Sequence, residues 1–482
     1  MEKNILKYII FYGFAALSVL SSCKDSFLDQ KPYTGQPPEA ALATEKDIYV
    51  ALTGAYASLR VANVNISGTS TNISAYGRNI PAIGDVAADN VFVSASNTGR
   101  YLTFNQYTFN QGATEFRDIW LNLYATIMKA NRIIDSELSE SDNVKKYKGE
   151  AYAIRALCYF DLVRHFAKPY TDDPNSDGVP LSLHYDPFAK PARSKVAEVY
   201  TQILADLDQS YNMISTYRGT AYFSKYAARA LAAKVNLYKG DYAAALSQAQ
   251  DVIRNSGFSL VTNANLISYW GTTSAQSSTK TETLFEVVSD GVANLGNDEL
   301  GYVYNQAGYG DLLATPELYN LYSDTDLRKQ LITVGARTNA EKPAYIVTKY
   351  KAMANDRDDK KILRLSEVYL IAAESSHSQA VADDALALTY LNTLVAQRDP
   401  SKVYSSTGNQ LLEDIIMERR KELAFEGDRL HTLNRLKRDI VRSAVYPSAA
   451  RNISYSNTRR IFPIPLTERT NNPNISQNPG YN

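Results

Sequence analysis

Residues 411–436, LLEDIIMERRKELAFEGDRLHTLNRL, decide how the chain is read. Set out at about 100° per residue, Leu412, Ile416 and Leu423 fall on one stripe with Ile415 beside them, the pattern of a helix with one face against a core. Arg419 lies in the middle of that stripe, and Glu422 and Glu426 lie along its edge. Desolvating a guanidinium is costly unless carboxylates meet it, so Arg419 is predicted to be held by Glu422, one turn on, or by another acid nearby. Arg420 falls on the polar flank. Gly427 reads as the glycine that closes this helix, and Asp428 as the N-cap of a second one carrying Leu430, Leu433 and Leu436. Glu418 and Glu422 have the spacing of paired catalytic carboxylates. Arginines within a turn would keep both ionised, which spoils a general acid, and the pair reads as structural.

Outward from this stretch the apolar residues recur with helical period in pairs. A first helix is expected over about 45–59, then 114–137 with 145–166, 194–213 with 224–239, 241–256, and 363–377 with 381–397. The clearest unit is KYAARALAAKVNLYKGDYAAALSQAQDVI, residues 225–253, where small residues let two antiparallel helices approach and Gly240-Asp241 turns between them, as in a tetratricopeptide hairpin. An ordinary alanine-rich bundle is the competing architecture. Residues 61–112, rich in Asn, Ser, Thr and Gly, show no helical period and read as a long irregular stretch, the kind that is usually functional. Residues 260–360 look mixed, with short strands at 284–288 and 345–347 and a helix opening at Thr315-Pro316. The tail, RRIFPIPLTERTNNPNISQNPGYN, is too rich in Pro and Asn for regular structure, and Ile461, Phe462 and Ile464 are expected to dock it. The fold class is all-α: a tetratricopeptide-like scaffold of helical pairs over about 114–256 and 363–440, with long irregular loops, a loop-rich insert at 260–360, a few short strands and a tail at 441–482.

At the start, Lys3 and Lys7 precede an apolar run from Tyr8 to Leu20 and then Ser21-Ser22-Cys23. A spanning helix needs about 20 apolar residues, and this run is shorter and holds Gly13. It reads as a signal peptide, residues 1–22, whose small residues before a cysteine resemble a lipobox, with Cys23 lipidated and 23–44 as tether. That leaves Cys158 alone, in an apolar helix, as a buried thiol. With 51 Lys and Arg against 51 Asp and Glu the chain is neutral, and it lacks the basic run of a nucleic-acid binder. His165, His184, His377 and His431 are scattered without zinc spacing, and no phosphate loop, nucleophile elbow or dinucleotide fingerprint occurs. No cofactor is expected. Asp173, Asn175 and Asp177, followed by Gly178, fit half of a calcium loop; position twelve is His184 and the glutamate is missing, so a structural calcium stands against a plain turn.

Four stretches together resemble the SusD/RagB family of outer-membrane nutrient-binding lipoproteins: SSCKDSFLDQKP, GDVAADN with IWLNLYATIMKANRII, ERRKELAFEGDRLHTLNRL, and FPIPLTERTNNPNISQNPGY. The resemblance implies one helical domain over 45–482, a lipid anchor in the outer membrane with the protein exposed at the cell surface, no catalysis, and a SusC-type TonB-dependent porin as partner. The ligand it implies is an oligosaccharide or polysaccharide or, in some members, a peptide. A lipid-anchored glycan hydrolase and a protein-binding adaptor are the rival classes. The chain has 35 tyrosines and only two tryptophans, Trp120 inside a helix and Trp270 in the insert, whereas glycan-binding members often present tryptophan. By the general resemblance, binding loops emerge after the first helix and from the insert. On chemistry and location the ligand contacts expected there are Arg78, Asp89, Asn90, Tyr101 and Tyr107, faced by Trp270 and Tyr309, all of which have to be exposed to serve.

Overall fold

Thr44 shows how the helices are started. Its hydroxyl accepts from the Asp47 amide at 3.2 Å while the Asp47 carboxylate accepts from the Thr44 amide at 2.9 Å, a reciprocal cap that fixes the beginning of α1 (Glu45–Arg60). The structure, a computed structural model, describes residues 42–481 apart from 67, 272–278 and 356. After α1 come β1 (Ala62–Ile66), β2 (Thr69–Ile73), α2 (Ile80–Val86), β3 (Val91–Val93) and α3 (Leu102–Gln106). The long helices α4 (Thr114–Ile134), α5 (Asp142–Phe166), α6 (Val196–Met213), α7 (Lys225–Lys239) and α8 (Tyr242–Asn255) follow. A mixed region holds α9 (Leu266–Trp270), β4 (Thr283–Val287), α10 (Leu300–Tyr304), β5 (Leu312–Ala314), α11 (Pro316–Asn320), β6 (Ile332–Gly335), β7 (Ala344–Val347) and β8 (Lys360–Arg364). Helices return as α12 (Leu365–Ser378), α13 (Asp384–Val395), α14 (Gly408–Glu422) and α15 (Asp428–Arg435), and β9 (Ile440–Val441), β10 (Asn452–Ile453) and α16 (Leu466–Asn471) close the chain.

The long helices stack in order. α1 lies on α4 and α5, each of α4 to α8 packs on the next, and α8 packs on α12, which carries α13 and α14. The mixed region is therefore looped out of a continuous array of antiparallel helices, the expected all-α scaffold. Close approach has a visible cause at Gly149, where a Cβ would stand 2.8 Å from the Met213 Cβ on α6. Between α7 and α8, Gly240 takes φ +80°, which a side chain would strain, and the Asp241 carboxylate caps α8 at the Ala244 amide, 3.2 Å away. α5 is buried nearly all round, and most of its buried charges are paired there: Arg155 grips Asp206 through Nε and Nη2 at 2.8 and 2.7 Å.

Three expectations need correction. Residues 61–112 are not irregular: β1 and β2 form a hairpin, a π-turn at Ala75–Asn79 leads into α2, and β3 pairs antiparallel with β5, Val91 opposite Ala314. These elements are too short to show a period, and most of the stretch from Ile73 to Val93 is buried on every side, which erases alternation. The tail holds regular structure, α16 and the β9–β10 pair, because Pro465 stands at the N-cap of α16, outside the helix where proline does no harm. At the centre of the opening stretch, α14 stops at Glu422, and Gly427, with φ +80°, is itself the residue before α15, so Asp428 is the first helical residue and not the cap. A Cβ on Gly427 would lie 2.7 Å from the Ile80 carbonyl oxygen, and one on Gly84 would lie 2.0 Å from that of Gly427; glycine is needed on both sides of this backbone contact between α2 and the turn. The tail docks as expected through Phe462 and Ile464, with the Phe462 ring 4.7 Å from that of Phe116, while Ile461 is only half-buried.

Candidate ligand-binding face

The charges of α14 decide where several of the expected site residues lie. Arg419 is buried, and its partners are Asp428 (Nε 2.9 Å, Nη2 2.6 Å) and Glu367 on α12 (2.6 Å), with the Thr432 hydroxyl at 3.1 Å. Glu422 does not serve it, because Glu422 is held by Arg364, Arg398 and Arg328 at 2.7, 2.9 and 3.2 Å. Around these, Glu282, Asp326, Glu418, Glu422 and Glu426 face Arg328, Lys349, Arg364, Arg398 and Lys421, so the cluster is balanced one for one. Burial pulls the Glu418 and Glu422 carboxyls upward. The surrounding cations outweigh it and leave both below the usual carboxylate range, the ionised state expected for the pair.

Trp270 is a cover on this cluster. Its ring lies 3.9 Å from the Lys349 Nζ and 5.0 Å from the Arg364 guanidinium, and the residue is 4 % exposed, so it presents no face to a ligand. Asp89 and Asn90 are also buried and spent on the scaffold: Asp89 accepts from Arg429 at 2.7 and 2.9 Å, and Asn90 donates to Asp85 at 2.8 Å and accepts from Arg420 at 2.8 Å. GDVAADN is thus a clasp on α14 and α15, and Asp85 inside it, desolvated, is pushed up to about 7. Arg420, placed on the polar flank by its helix phase, is part of that clasp and its side chain is 10 % exposed. Tyr101 and Tyr107 stand at the two ends of α3 with φ +58° and +60°, both buried; Tyr101 donates to Asn79 at 2.9 Å, and Tyr107 packs on Phe109 with centroids 5.1 Å apart. For Asp89, Asn90, Tyr101, Tyr107 and Trp270, then, the expected exposure is not met. Chain neighbours could not reveal the distant arginines and aromatic rings that cover them.

Two expected residues do reach the surface, from the two regions expected to face one another. Arg78, beside the Tyr101 hydroxyl, pairs with Asp298, whose side chain is 59 % exposed. Arg100 lies flat over the ring of half-buried Tyr309, 3.7 Å from its centroid, and Tyr302 stands 6.0 Å from Tyr309. Arg337 ties the two loops together, donating to the Gln306 amide oxygen at 2.6 Å and to the Ser96 and Gly310 carbonyls at 2.5 Å. Below them the Asp311 carboxylate accepts from the Thr98 amide at 2.9 Å and the Thr98 hydroxyl at 2.5 Å. The result is a cross-linked rim of aromatic, guanidinium and amide groups. Arg100, Asp298, Tyr302 and Arg337 were not singled out from sequence as ligand contacts; the available signal was two Gly- and Asn-containing loops, each with an arginine or tyrosine at its tip.

Asp177 of the calcium-like turn bonds Lys195 at 2.9 Å and the Ser476 hydroxyl at 3.0 Å, and Asp173 accepts from the Asn175 amide at 3.1 Å, the contacts of a turn. Among the described residues no three His, Cys, Asp or Glu side chains are grouped to hold a metal ion. Burial raises the Cys158 thiol well above its usual range. Among the described residues no helix is long and apolar enough to cross a membrane; residues 1–22, Cys23 and the tether to residue 41 lie outside them.

Residues 26–237 match a family model described as "Starch-binding associating with outer membrane", and residues 345–481 match that of the SusD family. The chain is 27% identical over 540 residues to SusD-like protein P2 of Formosa agariphila, with all of both chains covered. It shares 30% identity and a TM-score of 0.80 with the crystal structure of a proposed sugar binding protein from Bacteroides vulgatus, over 92% of this chain and 100% of that one. A SusD superfamily protein from Bacteroides thetaiotaomicron gives 28% identity and a TM-score of 0.78, over 90% and 100%. The chain belongs to the SusD/RagB family.

Proposed function

We propose that this protein is a lipoprotein of the outer membrane, anchored through Cys23 and exposed at the cell surface, that binds a nutrient and passes it to a TonB-dependent transporter of the SusC type without transforming it. The ligand is an oligosaccharide or polysaccharide. The observation that carries this reading is the cluster of Arg100, Tyr309 and Tyr302, with the Arg78–Asp298 pair presented from the same two regions of the chain: a tyrosine face takes the apolar face of a sugar ring, and guanidinium and carboxylate groups orient its hydroxyls. Family membership and the starch-binding description of the matched family support it. A peptide is the second reading, favoured by the burial of both tryptophans and by the guanidinium groups of Arg78, Arg100 and Arg337. Calorimetry against a panel of oligosaccharides and peptides separates the two. With the ligand that binds, Tyr309→Ala and Arg100→Ala should each weaken affinity about tenfold or more while the melting temperature barely moves. Full affinity in both variants would place the site elsewhere, and release of reducing ends from a bound polysaccharide would make the protein a hydrolase.

A further inference from the structure

A cavity of about 540 Å³ lies between the turn after α5, the strand-like segment before α6, and the C-terminal tail. That volume is in the range of small-molecule sites, about 300–1,000 Å³. Two of its lining residues are arginines with no carboxylate partner among the described residues. Arg193 spends its donors on the carbonyls of Phe166, Asp177, Gly178 and Ser476 and on the Asn478 side chain, at 2.7 to 3.2 Å. Arg460, 3 % exposed, reaches the Asn434 side chain and the carbonyls of Arg438 and Ile453, and its Nη2 is buried with no acceptor at all. Lys168 adds a half-exposed cation at the rim, 3.8 Å from Asp173. The acids of the wall are already matched: Asp172 by Lys437 at 3.2 Å and Asp177 by Lys195 at 2.9 Å.

Most buried guanidinium groups elsewhere in this protein are neutralised, Arg419 and Arg364 by two or more carboxylates each. Arg442 is an exception, resting on the carbonyls of Val86, Ala88, Asn105 and Ala450, but it does not line this cavity and its nitrogens all find acceptors. Carbonyl dipoles satisfy hydrogen bonds but supply no full counter-charge, and desolvation lowers the pKa of both Arg193 and Arg460, outweighing Asp177 and Asp439, which act on them without a salt bridge. We propose that the cavity binds a small ligand through an oxyanion, a carboxylate or a sulfate or phosphate group, with buried Arg460 and half-buried Arg193 as its positive wall and Lys168 at the entrance. An oxyanion is the group that guanidinium donors match in both charge and geometry; Arg460 offers the free donors of Nη2, while Arg193, its donors all engaged, contributes charge. The site shares no residue with the Arg78–Tyr309 face, and it stands or falls independently of the ligand proposed there.

The test uses the purified chain at fixed ionic strength, titrated with sodium sulfate, galacturonate, galactose and, as baseline, sodium chloride, with calorimetry and melting temperature as readouts. Galacturonate or sulfate should bind saturably and raise the melting temperature above the chloride baseline, while galactose should not. If sulfate alone binds, the ligand is a free ion or its ester; if galacturonate binds as well, an acidic sugar fits. Arg460→Gln should weaken that binding about tenfold or more and Lys168→Gln, at the half-exposed rim, a few-fold, whereas Arg100→Ala should leave it unchanged. No oxyanion effect beyond chloride, equal binding of galactose and galacturonate, or sensitivity to Arg100→Ala without sensitivity to Lys168→Gln or Arg460→Gln would overturn the proposal.

Discussion

Arg419 shows what one helix can and cannot reveal about a residue. Phase on the helix gave its depth, since a charge in an apolar stripe has to be buried, but its partners came from α12 and from the start of α15, and no spacing within α14 could supply them. Removing the side chain leaves Glu367 and Asp428 with too little positive charge, so Arg419→Ala should cost about 3–5 kcal/mol by urea denaturation. Arg420→Ala should cost less, about 1–3 kcal/mol, because Asp89 keeps Arg429. Equal costs would mean that burial of the charge does not decide the difference. The same blindness misplaced Trp270: its position in a loop-rich insert was legible, but the cations stacked on its ring come from residues 349 to 364. Trp270→Ala should accordingly lower stability by about 3–5 kcal/mol, and an unchanged melting temperature would contradict its role as a cover on the buried charges.

Elements were legible in proportion to their length. The helix expected over 45–59 is α1 at Glu45–Arg60, and that expected over 224–239 is α7 at Lys225–Lys239, because three or four turns give a stripe enough repeats to be seen. α2, at Ile80–Val86, has no exposed face, so nothing in its sequence marks it apart from Pro81 in its first turn. What fixes α2 is its crossing with the turn before α15, and that gives a sharp comparison between two glycines. Gly84→Ala places a methyl carbon 2.0 Å from the Gly427 carbonyl oxygen and must push the two segments apart. A cost of about 3 kcal/mol or more is expected, read from thermal melts. Gly54→Ala, in the middle of α1 with nothing within 4 Å, should stabilise by about 0.5–1 kcal/mol. The reverse order of the two melting temperatures would remove the crossing as the reason for Gly84.

At the scale of the molecule, two buried histidines set part of the response to acid. The His165 and His431 rings lie 4.4 Å apart, and burial holds both below the usual histidine range, His165 at about 4. The unfolded chain takes up a proton on each near pH 6.5 that the folded chain refuses. Their contribution is therefore complete above about pH 6.5 and is lost as pH falls toward 4, by up to about 1.4 kcal/mol per unit for each. Asp85 and Asp358, raised by burial to about 7 and about 6, act oppositely, since the folded chain keeps protons that the unfolded one has released above about pH 4. Relative to the parent, the double variant His165→Gln, His431→Gln should gain stability between pH 7 and 5; a constant difference would show that the histidines titrate normally. For the proposed anchor, Cys23→Ala should move the protein into the soluble periplasmic fraction, and its retention in the membrane fraction would rule out lipid as the sole attachment. One contact also bears on timing. The hydrogen bond from the Gly427 amide to Asp85 joins residues 342 positions apart. Synthesis runs from the N-terminus, so α2 and its buried aspartate wait without their counterpart until nearly nine-tenths of the chain has been made. Contacts so distant in sequence form late. Until residue 427 emerges, the crossing of α2 with the turn before α15 cannot form, so the last helices of the chain act as the latch on a segment made far earlier.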